Sequence, residues 1–232
     1  MKFGVICAMQ EELKTLLEHL DQDSQTDVGG KIYYSGSIDS VSVVLVESGI
    51  GKVEAGITTE HLITDFAADV VINSGSAGGI GQNQRVGDVV ISTETAYHDV
   101  DVRAFDYEYG QLPGQPARFK ASPKWIDALA TAGQETGLNI EKGLIVSGDQ
   151  FVSSKEVISK IKHYFPEALS AEMEGAAVGQ VACDHNVPYV VVRAMSDVGD
   201  EDAGDSFDEF IIQAGQRSAK MLLQLFHNLE EA

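Results

Sequence analysis

Two patterns alternate along the 232-residue chain. Short apolar runs at 2–8, 69–73, 88–95, 141–147 and 188–195 have the length of buried strands. Between them lie segments whose apolar residues recur three and four apart, the spacing of a helix that buries one face. Residues 11–20 carry leucines at 13, 16, 17 and 20, and 52–66, 154–164 and 207–229 read as helices too. Ser122-Pro123 opens another, running to about 137, with a cap and a first-turn proline. Residues 31–37 and 41–47 read as a hairpin turning at Asp39-Ser40. The segment 21–30, polar and ending in Gly-Gly, reads as a loop. Residues 169–173 are short and extended and feed a helix to about 184. Residues 98–119 form a long aromatic-rich loop with two prolines, and 197–206 an acidic one.

Strands alternating with helices imply parallel crossovers. The expected fold class is therefore α/β: a single domain over residues 1–232 with three layers, α/β/α, around a central mixed, largely parallel sheet. Ligand sites in such sheets lie beyond the carboxyl ends of strands.

Composition narrows the partners. Sixteen basic residues stand against 36 acidic ones, a net charge of −20. A polyanion needs a basic footprint, so neither nucleic acid nor an anionic membrane surface is expected as a partner. The apolar runs are far shorter than the ~20 residues of a spanning helix. The first run is interrupted by Gln10-Glu11-Glu12 before any leader pattern is complete. Cys7 and Cys183 have neither disulfide-framework nor metal-site spacing. A reduced, cytoplasmic enzyme is the expectation.

The unusual polar residues cluster where strands end. Glu11 and Glu12 follow the first strand, either as helix-dipole partners or as a base aimed into a pocket. Ser74-Gly75-Ser76-Ala77-Gly78-Gly79 follows the strand at 69–73, either as a ligand cradle or as a tight turn, and lacks the spacing of dinucleotide or triphosphate loops. Phe151-Val152 offers an aromatic face and main-chain groups to a planar base, or packs in the core. Glu172 and Glu174 flank Met173 at a strand-to-helix junction; a carboxylate there suits a pair of vicinal hydroxyls, or the helix dipole. Arg193 stands in an apolar strand tail and needs a carboxylate or ligand beside it. Asp197, if buried, has the raised pKa of a general acid.

Six stretches in order resemble the bacterial 5′-methylthioadenosine/S-adenosylhomocysteine nucleosidases. They are Ala8 to Glu12, Ser48 to Val53, Asn73 to Gly79, Tyr107 to Gly114, Glu172 to Glu174 and Arg193 to Asp197, with the match continuing to Phe207-Asp208-Glu209-Phe210. The resemblance implies the fold of the purine nucleoside phosphorylases, a homodimer, and irreversible hydrolysis of the adenine N-glycosidic bond in methylthioadenosine and S-adenosylhomocysteine, with a role in methionine salvage. It makes Glu12 the base that activates water and Asp197 the acid that protonates adenine N7. Met173 and Glu174 match the ribose site, Phe151 and the Val152 backbone the adenine slot, and Gly78 and Ser196 the substrate loops. Ser76 and Arg193 match neighbours that position Glu12 and the water. Met9, Ile50 and Phe207 match apolar walls. Val102, Phe105 and Pro113 match a segment lent to the 5′ pocket by a partner subunit. Val152 and Met195 depart from common choices in relatives without touching the chemistry. No cofactor or metal is implied.

Two rivals remain at this point. A phosphorylase of the same fold needs fixed cations for phosphate, and Gln10-Glu11-Glu12 would repel that anion. A non-catalytic nucleoside-binding protein would not need both Glu12 and Asp197.

Overall fold

The computed structural model describes residues 1–198 and 203–231, with the backbone alone for 203–209. Strand β1 (Lys2–Cys7) leads to α1 (Gln10–Leu17), then β2 (Asp21–Val28), β3 (Lys31–Ile38) and β4 (Val41–Glu47). Helix α2 (Lys52–Thr64) precedes β5 (Val70–Gly79) and β6 (Val89–Tyr97). After a 3-10 turn (Arg103–Phe105) come β7 (Phe119–Lys120), α3 (Pro123–Glu135), β8 (Ile140–Ser147) and α4 (Lys155–Tyr164). The chain ends with β9 (Ala168–Glu172), α5 (Gly175–Asp184), β10 (Tyr189–Asp197) and α6 (Ala203–Glu230).

The strand order is β10-β6-β8-β9-β5-β1-β4-β3-β2, with β7 on the side of β6. The sheet is parallel where β10, β5, β1 and β4 run together and where β6, β8 and β9 do, and antiparallel at the seams between. Because β10 pairs with both β5 and β6, the strands β5, β10, β6, β8 and β9 close into a ring, leaving β1, β4, β3 and β2 as an arm. That closure is additional to the open layered sheet expected from the element order.

Successive residues of β1 display the layers. The Phe3 ring packs edge-on against Trp125 of α3 and Phe226 of α6, at 4.9 and 5.5 Å. The next residue, Gly4, faces the other way, where an added Cβ would sit 3.0 Å from Leu62 of α2. Helices α1, α3 and α6 pack together on the first face, and α2 packs on α5 on the second.

Three segments differ from the sequence reading. Residues 21–28 form an edge strand, not a loop. Every side chain of β2 but Val28 is exposed, so no apolar alternation marks it; the ladder to β3 holds it in place. Its three aspartates keep the open edge from templating another chain. Of the two readings of residues 74–79, cradle or turn, the turn is excluded: they continue β5 straight through Gly79, and Ser76, Ala77 and Gly78 reach a cavity. Small side chains there are a packing requirement rather than a change of direction. The hairpin of β3 and β4 does turn at Asp39 and Ser40, both at positive φ (46° and 60°), as a two-residue connection requires. Helix α6 begins at Ala203, so the acidic stretch is shorter than the expected 197–206; residues 199–202 of it lie outside the described residues.

Candidate active site

The carboxyl ends of β1, β5, β9 and β10 open onto a cavity of about 330 Å³. Glu12, Ser76, Gly78, Val152, Met173, Glu174, Ser196 and Asp197 line it, and Met9, Ile50 and Phe151 complete its walls. Phe151 and Ile50 are about half exposed, as befits residues at a mouth, whereas Val152 is buried.

Glu12 sits in the first turn of α1, and its carboxylate folds back over the strand end it follows. Oε2 accepts the N–H groups of Ala8 (3.0 Å) and Met9 (3.2 Å). Oε1 accepts the N–H of Ser76 (2.9 Å) and its hydroxyl (3.0 Å). The Glu12 carboxylate therefore closes a capping box at the start of α1 and also faces the cavity. Burial pushes its pKa up, against the pull of Arg193 and of the bonds from Ser76 and Met9. A carboxylate raised this way is a better proton acceptor near neutral pH than an exposed one.

Arg193, fully buried in β10, lies beneath the cavity floor. Its guanidinium donates to Glu172, to Glu174 Oε2 (3.3 Å) and to Asn73 Oδ1 (2.6 Å). Burial works against its charge, and the carboxylates of Glu172, Glu174 and Glu12 outweigh it, so its pKa is raised. Glu172 is held by the Ser147 hydroxyl and accepts the N–H groups of Glu174 (3.1 Å) and Gly175 (2.8 Å), capping α5. Glu174 is thereby left at the helix start with Oε1 on the Gly51 N–H (2.8 Å). Burial raises the Glu174 pKa to about 7, with Arg193 pulling it down and Glu172 pushing it up.

Asp197 ends β10 and is buried. Ser196 Oγ donates to its Oδ2 (3.0 Å), and Gly78 allows its Oδ1 to approach, since a Cβ there would lie 3.0 Å away. One cavity thus holds four buried carboxyls: Glu12 in the first turn of α1, Asp197 at the end of β10, and Glu172 and Glu174 at the junction of β9 and α5.

A family model described as the phosphorylase superfamily matches residues 2–227. A 5′-methylthioadenosine/S-adenosylhomocysteine nucleosidase from Streptococcus pneumoniae, solved with a transition-state inhibitor, is 47% identical; the match covers 99% of this chain and 100% of that one, with a TM-score of 0.95. The Neisseria meningitidis nucleosidase, in complex with methylthio-immucillin-A, is 46% identical over 98% and 99% of the two chains (TM-score 0.96). The chain belongs to the methylthioadenosine/S-adenosylhomocysteine nucleosidase family. A further nucleosidase, from Colwellia psychrerythraea and in complex with adenine, is 38% identical over 99% and 96% (TM-score 0.95).

Not every residue that the likeness to the nucleosidases singled out meets the cavity. Val102, Phe105 and Pro113 lie on the 98–118 connection and do not line it; Phe105 is 74% exposed. That connection is anchored by the Tyr109 ring stacked on Tyr164 (3.8 Å) and by Arg103 lying over both rings. The Phe207 side chain lies outside the described residues. Of the partners of Arg193, Asn73 was not among the expected site residues, and Glu172, singled out with Glu174 for vicinal hydroxyls or the helix dipole, serves the arginine and the start of α5. The demand of a buried arginine for counter-charge was the signal for Glu172; nothing in the sequence pointed to Asn73. Among the described residues one group of possible metal ligands meets, Asp39, His227 and Glu230, exposed and outside the cavity. Both cysteines are free thiols, and burial pushes that of Cys7 well up.

Proposed function

We propose that the protein hydrolyses the N-glycosidic bond of 5′-methylthioadenosine and S-adenosylhomocysteine, and of 5′-deoxyadenosine, releasing adenine and a 5-substituted ribose. The observation that carries this reading is that Glu12 and Asp197 line one cavity. A leaving adenine departs neutral once N7 is protonated, and Asp197 is the donor. The ribose gains oxocarbenium character as the bond lengthens. Water beside Glu12 attacks C1′, and Glu12 takes its proton. Ser76 holds Glu12, and Arg193 fixes the carboxylate framework below. Glu174 accepts the ribose hydroxyls, Met173 packs against the sugar, and Phe151 with the Val152 backbone holds the base. Gly78 and Ser196 place Asp197, and Met9, Ile50 and Phe207 form apolar walls. No cofactor enters.

The same proposal includes a homodimer in which the partner lends Val102, Phe105 and Pro113 to the 5′ pocket. The exposed apolar side chains of Ile50 at the mouth and of Val53 and Ile57 on α2, together with exposed Phe105, support it. A cytoplasmic location is part of the proposal; among the described residues no helix is long and apolar enough to cross a membrane. Water is favoured over phosphate as nucleophile because carboxylates line the cavity and Arg193 is already charge-paired with Glu172 and Glu174.

Product analysis with methylthioadenosine, S-adenosylhomocysteine and adenosine, in buffer with and without phosphate, tests the reading. Adenine and a free 5-substituted ribose are expected at equal rates in both buffers. Strict phosphate dependence would reassign the protein as a phosphorylase, and tight binding without product as a carrier.

A further inference from the structure

We propose that Lys52 is a positioning residue that sets the mouth of the nucleoside pocket by clasping two loops that lead to its walls to the 98–118 connection; the inference rests on the nucleosidase reading above. Lys52 does not line the cavity. It is the first residue of α2, where a backbone N–H has no partner within the helix. That N–H donates to Asp149 Oδ1 (2.9 Å), so a side chain from the 148–152 loop caps α2. The Lys52 ammonium turns to Asp99 Oδ2 (2.6 Å), stands 3.7 Å from Asp149 Oδ2, and lies 5.3 Å from the centre of the Tyr97 ring. Asp99 Oδ2 also accepts the Asp149 N–H (2.9 Å).

Two of the three clasped segments lead into walls of this cavity. Asp149 is followed by Gln150, Phe151 and Val152, all on the cavity. Asp99 opens the connection that carries Val102 and Phe105. Lys52 itself follows Ile50 and Gly51, and Gly51 donates to Glu174 (2.8 Å). The turn at Gly51 needs glycine twice over: its φ is 102°, and a Cβ would come within 3.1 Å of Asp149 Oδ1. An isolated surface ion pair contributes little. This one is different because a single cation neutralises two carboxylates on separate loops, which would repel each other without it.

The test compares wild type with Lys52→Met, Lys52→Arg and Asp99→Asn. The readouts are the calorimetric Kd for adenine, KM and kcat for adenine release from methylthioadenosine, and Tm. Lys52→Met is expected to weaken adenine binding and raise KM about 5–10-fold, with kcat within about twofold and Tm within a few degrees. Lys52→Arg restores most of the loss. Asp99→Asn, which keeps an acceptor for the Asp149 N–H, falls between. An adenine Kd in Lys52→Met within twofold of wild type overturns the clasp, as does a loss that Lys52→Arg leaves unrepaired. Should wild type bind adenine yet release none from methylthioadenosine, the nucleosidase reading falls while the adenine series still decides the role of Lys52.

Discussion

Ser76 gives both its backbone N–H and its hydroxyl to a single oxygen of Glu12, at 2.9 and 3.0 Å. The other oxygen is held by backbone donors of Ala8 and Met9, so the hydroxyl is the one side-chain hydrogen bond in this set of four. It favours the ionised carboxylate against the burial that raises the Glu12 pKa. Ser76→Ala removes it without opening the fold. The expected result is a kcat lower by about tenfold, Tm nearly unchanged, and an acid limb of the kcat/KM profile displaced to higher pH. A limb that stays in place would detach the hydroxyl from Glu12 ionisation.

Glu12 and Asp197 are expected to be separately indispensable. General acid and base steps each typically contribute about 10²–10⁴-fold, so Glu12→Gln and Asp197→Asn should each lower adenine release by at least about a hundredfold. Both replacements keep shape and an acceptor oxygen, so far-UV circular dichroism should match wild type. Turnover near the wild-type rate in either variant removes that residue from the mechanism.

Glu174 couples the site to stability. Its pKa in the fold is about 7, well above the ordinary 4.5 of a glutamate. The fold therefore favours the protonated form, and the stability gained from that form is fully present below pH 4.5 and lost as pH rises through 7. Glu174→Gln mimics the protonated side chain at every pH. Its Tm should equal that of wild type at pH 4.5 and exceed it by several degrees at pH 8, while substrate binding weakens. Melting curves across this range check the sign: a variant less stable than wild type at pH 8 would mean that the Arg193 pair outweighs burial.

How much was legible in the chain follows from where the information resides. Strands buried on both faces, such as Tyr189–Asp197, announce themselves as apolar runs, and the helix Pro123–Glu135 by its first-turn proline, although the Ser122 side chain makes no capping bond. Strand β2 could not be read this way, because exposed polar residues on both faces leave only backbone pairing to define it. The continuation of β5 through Gly79 was hidden for the opposite reason: small residues that look like a turn are there to let Arg193, Glu12 and Asp197 approach the strand. Six ordered motifs brought most cavity residues within reach. Asn73 escaped because a neutral amide in a strand shows no need until the arginine opposite is known.

The glycine at position 75 offers the sharpest steric test of that last point. A Cβ there would sit 2.4 Å from Arg193 Nη1 and 2.7 Å from Glu12 Oε1, distances that cannot be borne. Neither neighbour is free to retreat. Arg193 is clamped by Glu172, Glu174 and Asn73, and Glu12 by its four donors. Gly75→Ala must therefore break the buried ion pairs or displace β5 from its neighbours. Breaking a buried pair costs about 3–5 kcal/mol, which for a chain of this size corresponds to a Tm lower by about 10 °C. Gly114 supplies the control: its φ of 81° makes alanine strained, but no atom stands within 4 Å of the added carbon. Gly114→Ala should cost only about 1 kcal/mol of backbone strain and keep full activity. Equal losses in the two variants would show that Arg193 and Glu12 have more room than the packing around them allows.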